Sequence, residues 1–91
     1  MFTKINEARV KSDSGFEIVF DHSMLTYTEG DHYMLIDIDH TPDALVIYVD
    51  SIKKWEKSLN DRYVVDSKKQ EIIKNICSAL LFLKIKSQLY S

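Results

Sequence analysis

The chain has 91 residues, 45% of them hydrophobic and 29% charged, with only two glycines and one proline. That length supports one domain with its own core over residues 1–91, and that composition excludes a disordered or low-complexity chain. The lone Cys77 excludes an internal disulfide and suits a reducing compartment, while a net charge of −2 weighs against a protein that coats nucleic acid.

Residues 2–11 alternate loosely between apolar and polar, and SDSG at 12–15 is a turn signal. FEIVFD at 16–21 alternates cleanly, with Phe16, Ile18 and Phe20 on one face and Glu17, Val19 and Asp21 on the other. MLTYTE at 24–29 is strand-like in its Thr and Tyr content, and EGDH closes a hairpin into residues 32–39. TPD at 41–43 marks the next turn. ALVIYV at 44–49 is a continuous apolar run, the pattern of a strand covered on both faces. Residues 1–50 therefore predict four or five short strands with short connections, mostly antiparallel.

The pattern changes after Asp50. Residues 51–66 have no clean period and predict an irregular or single-turn connection. Asp66 or Ser67 offers a helix N-cap, and Ser67 with Gln70 fits a capping box. Ile72, Ile73, Ile76, Ala79, Leu80 and Leu83 then fall on one helical stripe, so an amphipathic helix is expected over 67–86. The fold class is thus α+β, an antiparallel sheet followed by one C-terminal helix packed on one face. Leu81, Phe82 and Ile85 lie off the main stripe. Either a second surface of the same domain covers them or a second copy of the chain does, as a homodimer. Cys77, among apolar residues of this helix, is expected to be a buried thiol.

No apolar run of signal-peptide length opens the chain, and ALLFL at 79–83 is too short to span a bilayer. A soluble, cytoplasmic protein with no membrane partner is expected.

The net charge conceals an asymmetry. Residues 12–52 hold nine acids and no lysine or arginine, whereas residues 53–91 hold nine bases against four acids. A one-signed stretch either attracts a partner of opposite sign or neutralises the basic half of its own molecule, and both readings stay open. Lys53, Lys54, Lys57, Arg62, Lys68 and Lys69 suggest nucleic-acid contact, but without Arg-rich or base-stacking motifs they read as solvated side chains.

The stretch GDHYMLIDIDH at 30–40 concentrates the candidate chemistry. Strand period places His32, Met34, Ile36, Ile38 and His40 on one face and Asp31, Tyr33, Leu35, Asp37 and Asp39 on the other. The histidines are eight residues apart, about 26 Å along a straight strand, too far to share a metal ion. Asp37 and Asp39 sit side by side without a histidine or thiolate, a poor transition-metal site, and a glycosidase pair would need a cleft between them. Neither a nucleophile elbow nor a phosphate loop is present. No catalytic residue, metal site or cofactor is expected. The candidate instead is a partner-binding face built from Asp21, Tyr27, Glu29, Tyr33, Asp37 and Asp39, carboxylates around aromatic anchors suited to a basic protein.

One resemblance extends this reading. Tyr48, then Ser51, Ile52, Lys53 and Trp55, followed after a polar spacer by Ile72, Ile73 and Ile76, resembles the immunity protein 74 family of bacterial polymorphic toxin systems. MLTY at 24–27 is similar to a short element upstream. The resemblance implies a protein that binds and blocks the effector domain of a cognate toxin, with a basic toxin surface, such as that of a nuclease, as a fitting counterpart. The matching residues also have a structural explanation, with Ile52 and Trp55 expected to anchor the passage from sheet to helix. An acidic inhibitor or nucleic-acid mimic of another system, such as a phage-encoded one, is the alternative for the same acidic strands.

Overall fold

Alternation in the first half of the chain is realised as a meander. The structure, a computed structural model, describes residues 1–56 and 64–91. Strands β1 (Phe2–Asn6), β2 (Arg9–Ser12), β3 (Phe16–Phe20), β4 (Met24–Glu29), β5 (His32–His40) and β6 (Leu45–Tyr48) pair antiparallel in sequence order. Helix α1 (Asp66–Phe82) crosses one face of the sheet, and β7 (Ser87–Tyr90) then returns parallel to β6 at the edge.

The register follows from the turns. Gly30, at φ +61, opens a two-residue turn in which Glu29 pairs with His32, the position where a hairpin needs a residue free of Cβ strain. Cross-strand pairing then aligns Val10, Ile18, Tyr27 and Met34 in one row and Phe20, Leu25 and Ile36 in the next. Those rows face the helix, where Ile72, Ile76, Ala79 and Leu80 bury the complementary stripe. Ile52, 1% exposed, closes the core where the chain leaves the sheet.

The α+β class and the helix on one face are as expected; the strand count is seven rather than four or five. The added strand after the helix, SQLY, carries no alternating apolar pattern, and it forms because the helix end aims it at β6. Leu83 ends the helix and Lys84 takes φ +63. The Lys84 N–H bonds to the Leu81 carbonyl (2.9 Å) and the Ile85 N–H to the Leu80 carbonyl (2.8 Å), a Schellman closure with lysine where glycine is usual. The helix therefore stops at Phe82, short of the expected residue 86.

Its beginning also differs. Val65 is the N-cap, in extended conformation and without a side-chain cap, so the Ser67–Gln70 capping box does not form. The chain enters the helix from the side, held by the Val64 N–H on the Lys53 carbonyl (2.8 Å), which places the first turn one residue earlier. A single 3-10 turn, Val49–Ser51, leads into the expected connection over 51–66, within which Glu56 bridges to Tyr33; residues 57–63, with Lys57 and Arg62 of the basic set, lie outside the described residues. Cys77 is half-buried rather than a core thiol, beside Ser87 at 3.8 Å.

Of the apolar residues off the helix stripe, Phe82 packs on Phe2 of β1 with ring centroids 5.4 Å apart, and Ile85 lies against the core. The same domain covers both in part. Leu81 remains 76% exposed.

Candidate partner-binding face

The helix covers one face of the sheet, so the residues of opposite parity form a second, open face. Its middle row runs Arg9, Val19, Thr26, Leu35, and the rows beside it run Lys11, Glu17, Thr28, Tyr33 and Met24, Asp37. Asp39, Val46 and Gln88 continue it across β5, β6 and β7. Tyr33, Asp37 and Asp39 thus share this face, as the strand period predicts.

Tyr27 and Glu29 do not. Pairing with Ile18 and Met34 puts Tyr27 in the core, 0% exposed, where it cannot meet a partner. Its ring stacks on Phe16 with centroids 5.6 Å apart, and its hydroxyl donates to Glu29 Oε1 at 3.0 Å. Glu29 follows it on the helix side and binds Lys68 Nζ at 2.5 Å, and Lys68 also holds Glu71. Burial works against the Lys68 charge, but its hydrogen bonds to Glu29 and Glu71 outweigh that and raise its pKa above the usual lysine value. Burial likewise raises the Tyr27 phenol above its ordinary range. These two residues of the expected binding set are therefore a latch between sheet and helix. The misplacement has one cause: Tyr and Glu are common surface residues, but the two-residue turn at Gly30 sets their parity with Met34.

Asp21 lies in the β3–β4 turn. Its Oδ1 accepts the N–H of Ser23 (3.0 Å) and of Met24 (2.9 Å), and those two bonds lower its pKa below 3.8. Its carbonyl takes the His40 Nε2 proton at 2.7 Å. Asp21 is exposed, but its carboxylate is engaged in shaping the turn. His32, at the other end of β5, packs on Trp55 with centroids 5.7 Å apart. The histidines flank the core row, and among the described residues no group of three or more His, Cys, Asp or Glu is placed to hold a metal ion.

The acidic stretch is neutralised only in part within the molecule. Arg9 pairs with Glu17 on the open face, and Lys68 pairs with Glu29 from the helix. Among the described residues, Asp37, Asp39 and Asp50 have no ion-pair partner. Asp37 and Asp50 line a recess of about 430 Å³ together with Met24, Leu35, Tyr48, Ser51 and Lys53. Ser51 holds that wall in place: its Oγ accepts the Asp37 N–H at 2.9 Å and donates to the Tyr48 carbonyl at 2.6 Å. Tyr48 and Asp50 were not expected at the site. For Tyr48 the signal is parity within ALVIYV: Leu45 and Ile47 face the core and Val46 and Tyr48 face away, so this strand is not covered on both faces as its apolar run predicts. Asp50 lies in the 3-10 turn beyond it.

Fold and face together define a small α+β domain with one sheet face sealed by a helix and the other open, acidic along β5 and studded with aromatic and aliphatic side chains. The chain belongs to the immunity protein 74 family, whose model matches residues 17–86. Membership makes it an immunity protein of a toxin system, with a toxin as partner. No curated protein and no solved structure matches it. Of the residues that carry the resemblance, Ile52 is buried in the core and half-buried Trp55 packs against Tyr27 and His32 of the sheet. Among the described residues no helix is long and apolar enough to cross a membrane.

Proposed function

We propose that this immunity protein neutralises its toxin by direct contact, without catalysis, seating a basic surface of the toxin's effector domain on the open sheet face around Tyr33, Leu35, Asp37 and Asp39. The observation that carries this reading is a set of carboxylates without an ion pair among the described residues, Asp37, Asp39 and Asp50, of which Asp37 and Asp50 line the recess with Leu35 and Tyr48. Leu35 is 43% exposed beside them. Carboxylates of one sign steer a cationic partner into encounter, and desolvated aromatic and aliphatic groups supply the packing. A nuclease effector, whose substrate-binding surface is basic, fits this chemistry. The site of action would be the cytoplasm, where such an effector meets its substrate.

Co-expression with the cognate toxin tests the reading. Capture of the toxin effector domain by this chain, together with restored growth of toxin-expressing cells, supports it. Growth rescue without a stable complex contradicts direct binding. Binding of an unrelated basic protein in place of the toxin would favour an acidic inhibitor of another system.

A further inference from the structure

The two edges of the sheet are not alike. At one edge β1 carries Lys4 and a register break between Lys4 and Asn6, both devices that discourage strand addition. At the other, β7 is Ser-Gln-Leu-Tyr, with no proline or bulge, its nearest charge being Lys86 just ahead of the strand. Parity shows which of its backbone groups are free. The Leu45 N–H donates to the Lys86 carbonyl at 2.8 Å, so Lys86, and by alternation Gln88 and Tyr90, turn their peptide groups toward β6. Ser87 and Leu89 therefore turn theirs outward, where no described element pairs with them. Beside this edge the helix presents an i, i+4, i+8 ridge of Ile73, Cys77 and Leu81, placed over β7 by the Cys77–Ser87 contact. Leu89, 47% exposed, lies on the same side of the strand.

We infer that β7 is the seam of a two-fold homodimer, in which β7 of one copy pairs antiparallel with β7 of the other to make one continuous sheet. Ser87 of one copy and the partner's Leu89 exchange both backbone hydrogen bonds, and two-fold symmetry repeats the pair. A second copy is the occupant that the chemistry of the edge selects. Centred on Gln88, the pairing sets each Lys86 against the partner's Tyr90, a cation beside an aromatic ring, and opposes no like charges directly. The same symmetry operation brings Leu81 and the ridge of each helix toward its equivalent, covering apolar surface that the single chain leaves open. The acidic face stays free, so the inference does not depend on how the toxin is bound.

Sedimentation equilibrium of the purified chain over a wide concentration range tests it. The expected result is reversible association to twice the 10.6 kDa chain mass. Leu89→Pro removes an outward N–H without touching the β6 ladder and should raise the dimer dissociation constant about tenfold or more, with an unchanged circular dichroism spectrum. Leu81→Glu, at a solvent-exposed helix position that the fold does not need, should weaken the dimer in the same direction. A chain that stays monomeric throughout overturns the inference, as does a dimer indifferent to both substitutions. Loss of toxin capture by Leu89→Pro, with a monomeric parent, would instead assign the edge to a toxin strand and overturn it equally.

Discussion

Tyr27 of β4 and Asn75 of α1 are joined across the interior of the protein: Asn75 Nδ2 donates to the phenol oxygen at 3.0 Å, and the phenol donates onward to Glu29 at 3.0 Å. The bond sits where sheet and helix layers meet, and Tyr27 is fully buried. Tyr27→Phe keeps the ring packing but leaves Asn75 without its acceptor, an expected loss of about 1–2 kcal/mol. Asn75→Ala should cost about 1 kcal/mol, and the double variant less than the two losses combined. Urea denaturation of all four proteins measures the coupling; strict additivity would show that the bond does not form.

The helix end offers a substitution in the opposite direction. Lys84 holds φ +63, a conformation that costs a residue with Cβ about 1 kcal/mol and costs glycine almost nothing. Lys84→Gly should therefore raise stability by about 1 kcal/mol, read as an increase in Tm, while β7 remains paired. A lower Tm would mean that the lysine side chain contributes more than its backbone strain removes.

Ile76 is fully buried against the sheet. Truncation to alanine deletes contacts that the rigid sheet cannot reclose, so Ile76→Ala should lose about 2–5 kcal/mol. Chemical denaturation checks this, and a loss below about 1 kcal/mol would contradict the observed seating of the helix.

Protonation probes both ends of the pH scale. The Asp21 carboxyl, lowered below 3.8 by its two turn N–H bonds, contributes stability above that value, and the contribution fades as pH falls through the folded pKa. Asp21→Asn keeps an acceptor oxygen but not the charge, so it should flatten this acid dependence by lowering stability near neutrality toward the acid-side level of the parent. At the alkaline end Tyr27 and Lys68 are both raised, by burial of the phenol and by the Glu29 and Glu71 bonds of the lysine. Their stabilisation is complete below the ordinary values of 10.0 and 10.5 and declines as pH climbs past them toward the folded values. Thermal scans across pH should show Tyr27→Phe with a shallower alkaline decline than the parent.

Much of this was legible in the chain itself. The division of β5 into a Met34/Ile36/Ile38 core row and a Tyr33/Asp37/Asp39 outer row needs only the two-residue strand period, and the helix stripe at Ile72, Ile76, Ala79 and Leu80 needs only the 3.6-residue one. For Tyr27 and Glu29 residue type points outward while register turns them to the helix side. A two-residue turn at Gly30 pairs Glu29 with His32, which commits Tyr27 to the row of Met34. β7 carried no such signal. SQLY has neither period nor strong propensity, and becomes a strand because the Lys84 turn delivers it to the open edge of β6. The Ser67–Gln70 box failed for the same kind of reason, because the backbone of Val64, tied to Lys53, decides where the helix begins.

The most direct measurement of the central claim is the affinity of Asp37→Lys/Asp39→Lys for the cognate toxin effector domain, by calorimetry at low and at moderate salt. Both side chains are exposed on the open face with no ion pair among the described residues, so the fold should survive and circular dichroism should match the parent. The account predicts binding weakened by at least about tenfold, or about 1.4 kcal/mol, together with a shallower dependence on salt. Unchanged affinity and unchanged salt dependence would contradict it, placing the toxin on another surface of the immunity protein.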